Sequence, residues 1–134
     1  MVNIEGKSVT LNKSASEVYS YLMNMNNLEN LLPMDKLSNY EASEDSCSFK
    51  VSGAADIKLG KGDCEEPTKV IYKTQSGSTF PFTLNVNIKE LGDGNVEVSQ
   101  LAEADLNPFM KMMVQKPLTK LFDYIADRLP KALA

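Results

Sequence analysis

One long helical pattern closes a chain that otherwise reads as strands, and that combination leaves few folds open. Asn107–Pro108–Phe109–Met110 starts the pattern. Asparagine is a good N-cap because its side chain accepts from a free first-turn amide. Proline suits the first helical position, where no N–H is needed. Met110, Met113, Val114, Leu118, Leu121, Phe122, Ile125 and Leu129 then recur at spacings of three and four. Lys111, Gln115, Lys120, Asp123 and Asp127 take the other side. A helix with one apolar stripe needs an apolar surface to lie on. Pro117 lacks an N–H and crowds the carbonyl four residues earlier, which predicts a bend near Met113.

The surface for it is written in the preceding residues. Val2 to about Asn12 reads as a strand. Ser14–Ala15–Ser16–Glu17 matches a capping box, and Val18, Tyr21 and Leu22 carry the spacing of a short helix. Leu28, Leu31 and Leu32 give a second short apolar face, stopped by Pro33. From Lys36 the period changes to two. Strands are expected over Leu37–Ala42, around Cys47, Phe49 and Val51, around Ala55, Ile57 and Leu59, and around Val70 and Tyr72. The two clearest follow. Phe80, Phe82, Leu84, Val86 and Ile88 share one face, and after Gly92–Asp93–Gly94–Asn95 so do Val96, Val98, Gln100, Ala102 and Ala104. An antiparallel sheet with one wet and one buried face accounts for this alternation.

The totals exclude whole classes of function. A chain of 134 residues fits one domain, here 1–134, and can bury a real core. With a net charge of −4 it makes a poor general nucleic-acid binder, since phosphate contacts need a basic surface. No apolar run approaches the ~20 residues of a membrane span, so stable membrane insertion is not expected. Met1–Val2–Asn3–Ile4–Glu5–Gly6 lacks the basic start and apolar run of a signal peptide, and a cytoplasmic protein is expected. There is no histidine, so histidine dyads and histidine-ligated metals are out. Cys47 and Cys64 form no CxxC pair. A disulfide between neighbouring strands is conceivable, and two reduced thiols are the expectation. No metal and no cofactor is expected.

The order of elements is strand, two short helices, a run of about six strands and a long helix. Together with Ser14–Ala15–Ser16–Glu17–Val18–Tyr19, Asn30–Leu31–Leu32–Pro33, Asn107–Pro108–Phe109 and Lys116–Pro117–Leu118, it resembles the SRPBCC superfamily, which includes the START and polyketide cyclase-like proteins. The resemblance spans the chain and is strongest to the small bacterial members. It implies an α+β helix-grip fold: a seven-stranded antiparallel sheet, two short helices after strand one, and a long C-terminal helix packed across the sheet. It also implies an elongated apolar cavity beneath that helix, used across the family for lipids, sterols, quinones or polyketides. Some members instead act as co-chaperone domains that bind another protein.

Five residues are candidates for contact with such a ligand: Tyr72, Phe82, Gln100, Met110 and Met113. Helical spacing turns the two methionines to the sheet, and flexible thioethers suit a pocket of varied shape, or an irregular core. Ala102 and Ala104 leave space on the inner face. Gln100 falls on the buried face, where an unpaired amide costs roughly 1–3 kcal/mol. It therefore needs a side-chain partner, water or a ligand's polar head, and Tyr72 is one available protein partner. The expected function is non-catalytic binding of a small hydrophobic or amphipathic ligand between sheet and helix. The alternatives are a protein-interaction module and a cyclase-type enzyme. The enzyme needs Tyr72, Asp56 or Lys50 turned inward, and alternation points Asp56 and Lys50 out. The outer side of the helix carries Lys111, Lys116, Lys120 and Arg128, diluted by Asp123 and Asp127, and reads as a solvated face rather than a seat for an acidic partner or a membrane surface. No exposed apolar stripe is legible there. The oligomeric state is not encoded in any visible pattern.

Overall fold

The computed structural model describes residues 2–51 and 55–133. Two short strands come first, β1 (Val2–Glu5) and β2 (Val9–Leu11). They are two halves of one lane: β1 pairs with Leu101–Ala104 and β2 with Val96–Val98 of the same neighbouring strand. The single strand expected to about Asn12 is therefore broken at its middle. The cause is the terminal helix. A Cβ on Gly6 would stand 2.7 Å from the Cβ of Phe122, so only glycine lets the chain approach this closely. Lys7 then leaves the ladder: its backbone N–H donates to the Asp123 carboxylate (2.8 Å), and its ammonium lies 2.7 Å from Asp127.

Helix α1 (Ala15–Met23) begins at the expected capping box. The Ser14 hydroxyl accepts from the Glu17 amide at 3.1 Å, and the Glu17 carboxylate accepts from the Ser14 amide at 3.3 Å. These bonds hold the Glu17 carboxyl below its ordinary range. The helix buries Ala15, Val18, Tyr19 and Leu22, so Tyr19 takes the inward place expected for Tyr21. The second short helix is a 3-10 turn, Met25–Asn30, and another follows Pro33 at Met34–Lys36.

Six further strands complete the sheet: β3 (Leu37–Ala42), β4 (Ser46–Val51), β5 (Ala55–Lys61), β6 (Lys69–Thr74), β7 (Phe82–Gly92) and β8 (Asn95–Ala104). Their order is β1-β8-β7-β6-β5-β4-β3, with β2 beside β1 on β8, and every pairing is antiparallel. The expected seven lanes are present, one of them in two pieces. Gly92, Asp93 and Gly94 all adopt positive φ, which makes the tight β7–β8 hairpin. Burial alternates strictly from Phe82 to Ile88 and from Val96 to Ala104, the signature of a one-sided core.

Helix α2 (Pro108–Ala132) lies across that core, opened by Asn107 accepting from the Met110 amide at 2.8 Å. It continues through Pro117 and Pro130. Val114, Leu118, Leu121, Phe122, Ile125, Ala126 and Leu129 are buried, so the grip tightens toward the C-terminal half. The apolar side chains of α1, the sheet and α2 form one continuous cluster. Met113 is not part of it. Its spacing allows an inward position, but the side chain is 48% exposed, and of the first turns of the helix only Val114 is buried.

Candidate ligand-binding site

Directly beneath α2 the interior is almost full. A slot of about 20 Å³ remains, space for about one water molecule. Phe49, Ile57, Leu59, Tyr72, Phe82 and Leu84 form its floor, one or two from each of four adjacent strands. Leu28 and Leu32 close it at one side, and Leu121, Phe122 and Ile125 of α2 form its roof. Every group facing the slot is apolar except the Tyr72 ring, whose hydroxyl is already committed. It donates to the carbonyl of Leu22 at 2.7 Å. That carbonyl is among the last of α1, where no helical amide is available to it, so Tyr72 caps the helix through its side chain. Burial raises the Tyr72 phenol well above its ordinary range.

Gln100 is buried as expected, at 3% exposure, but Tyr72 is not its partner. Its amide donates to the Phe122 carbonyl of α2 at 2.9 Å, while its side-chain oxygen finds no partner among the described residues. Gln100 thus ties β8 to the helix and does not line the slot. Met110 packs partly buried against the edge of the core, also away from the slot. Of the five candidates, the fold brings Tyr72 and Phe82 together and leaves Gln100, Met110 and Met113 apart from them.

A larger space lies next door. A groove of about 710 Å³ runs between the middle of α2 and the β3 edge, within the usual size range of small-molecule sites. Pro33, Leu37 and Val51 supply one apolar wall, and Pro117, Leu121 and Tyr124 the other. Leu121 is shared: it closes the groove on one side and the slot on the other. Lys36, Lys116 and Lys120 stand on the groove's rim with Asp35. Sequence reasoning missed this groove because its walls come from three separate segments. In the sequence Pro33 reads as a helix stop, Pro117 as a helix bend, and Lys116 and Lys120 as part of a solvated face.

The other reactive candidates are placed as follows. Asp56 and Lys50 point outward into solvent. Both cysteines are free. Burial pushes the Cys47 thiol up to about 12, far from a reactive thiolate.

No family model matches this sequence, and no curated protein matches it. Solved structures do match it over nearly its whole length. A START superfamily protein from Mycobacterium smegmatis covers 96% of this chain and 97% of its own, with a TM-score of 0.66 at 13% identity. The chain has the START-like helix-grip fold. A norcoclaurine synthase from Thalictrum flavum, solved with a transition-state analogue, is also similar. It has a TM-score of 0.76 at 14% identity and covers 98% of this chain and 93% of its own. A conserved protein from Geobacillus kaustophilus gives 0.71 at 15%, covering 98% and 95%. At these identities the likeness carries fold alone. No helix among the described residues is long and apolar enough to cross a membrane.

Proposed function

We propose that this START-like chain is a non-catalytic binding protein for one small amphipathic molecule, seated in the groove between α2 and the β3 edge. The observation that carries the reading is the shared position of Leu121. A ligand in the groove lies against Leu121, the side chain that groove and slot share. With Leu121 displaced, the apolar end of the ligand would reach the slot lined by Phe82 and the ring of Tyr72. The seat differs from a wide cavity under the helix, because a 20 Å³ slot holds no tail by itself. Binding comes mainly from apolar burial, with polar groups at the rim setting orientation.

Native mass spectrometry and solvent extraction of the protein purified from its natural host test this. A co-purifying small molecule that Leu121→Trp excludes is the expected result. An empty protein, with apolar probes binding no better than to a compact control, defeats it.

A second reading has its own observation. Phe109, Met112 and Met113 are 70%, 82% and 48% exposed, and they sit together on the first two turns of α2. Such a patch beside a filled interior suits a protein-interaction module, the alternative raised by the sequence. A stoichiometric partner that co-purifies with the native chain, and is lost on Phe109→Ser with Met112→Ser, favours it.

A further inference from the structure

We infer that the groove selects an anionic amphiphile, its carboxylate or phosphate head held by Lys36, Lys116 and Lys120. This rests on the groove being the binding seat, and it adds the ligand's charge and orientation.

Three observations carry it. The first is convergence from two walls. Lys116 and Lys120 stand one turn apart on α2, about 6 Å along its axis, and Lys36 comes from the facing wall, at the end of the 3-10 turn Met34–Lys36 just before β3. The second is the absence of neutralisation. Asp35 is the single carboxylate among the described residues lining the groove. None of the three lysines makes an ion pair among the described residues, where the ion pairs are Lys7–Asp127 and Lys61–Asp45. Asp123 and Asp127, the next carboxylates along α2, both engage Lys7, Asp123 through the Lys7 backbone N–H and Asp127 through its ammonium. An acidic protein of net charge −4 thus keeps three lysines without ion pairs among the described residues at this groove. The third is polarity within the site. Below the ammonium groups the walls are Pro33, Leu37, Val51, Pro117 and Leu121. A molecule with one anionic end and one apolar end satisfies both levels. Lysine binds such heads as a point charge, without the bidentate geometry that would separate carboxylate from phosphate.

The test uses four probes of equal tail length on the full chain, below their aggregation thresholds: decanoate, decyl phosphate, decanol and decyltrimethylammonium. Titration calorimetry is expected to show the two anions binding about tenfold more tightly than decanol, from three exposed charge contacts, and the cation weakest. That advantage should disappear in about 1 M salt, where the screening length is about 3 Å. It should also disappear in a Lys36→Gln, Lys116→Gln, Lys120→Gln variant, and survive Lys58→Gln, Lys73→Gln. All five sites are surface lysines, so folding is not at risk. Comparing decanoate with decyl phosphate identifies the head. If decanol binds as tightly as the anions, or the control variant loses the advantage equally, charge selection by this rim is overturned while the groove remains a seat. If no probe binds, the groove reading falls and this inference with it.

Discussion

Single side chains here do work that no periodicity announces. Tyr72 was singled out for its position, yet its hydroxyl serves the end of α1 by capping the Leu22 carbonyl. Tyr72→Phe keeps the ring against the slot and removes only that bond. It is expected to destabilise the protein by about 1–3 kcal/mol, the cost of a buried acceptor left unpaired. Urea unfolding measures it. Under the proposed binding, probe affinity should change little, since the ring that lines the slot is kept.

Buried acids set the alkaline limit. Burial moves the Cys47 thiol from 9.0 to about 12 and the Tyr40 phenol from 10.0 to about 12, and raises Tyr72 as well. A native pKa above the unfolded one means that the native state keeps protons the unfolded chain releases. The contribution is whole below pH 9.0 and is lost as the pH rises through the native values. Stability should therefore fall between about pH 9 and 12, by up to about 1.4 kcal/mol per pH unit for each group. In Cys47→Ala the decline should begin nearer pH 10, where the tyrosines start to titrate. Chemical denaturation across that range decides.

At the scale of elements, α2 is two half-helices with different duties. Its C-terminal half is clamped three ways: by Gly6 against Phe122, by Gln100 to the Phe122 carbonyl, and by Lys7 to Asp123 and Asp127. Its first turns bury little besides Val114 and expose Phe109, Met112 and Met113. Pro117 has no N–H to offer the Met113 carbonyl, so the ladder is weakest at the junction. Hydrogen exchange should open amides 109–113 well before those of 121–129, and equal protection along the helix would contradict this division. Gly6→Ala attacks the clamp itself. Its Cβ falls 2.7 Å from that of Phe122, so the corner or the helix must move. The expected cost is about 1–3 kcal/mol, with protection lost in the C-terminal half of α2 first.

For the whole molecule, the decisive feature is how fully the sheet and helix close on each other. Leu121 lines both the slot and the groove. Leu121→Ala should join the two spaces, cost about 2–5 kcal/mol in stability and admit longer apolar probes than the parent accepts. Thermal unfolding and probe titration together read both effects. Unchanged probe length in a folded Leu121→Ala protein would show that the slot is not continuous with the groove.

Most of the architecture was legible in the chain, because alternation and helical spacing are local and depend only on which side of an element is wet. The capping box at Ser14, the Gly92–Asn95 hairpin, the Asn107 cap and the inward face through Gln100 all stand where the residues put them. The break at Gly6 was not legible, since it exists to admit Phe122 from 116 positions away. Nor was the exposure of Met113, because helical spacing says which side faces in but not how far along the helix that side is covered. The amount of empty space was equally hidden. Cavity volume is a small difference between large packed volumes, and a shift of one side chain decides it. Sequence patterning determined a sheet gripping a helix. Tertiary packing decided that the interior beneath the helix is nearly filled and that a larger groove lies beside the grip, lined by segments distant in the chain.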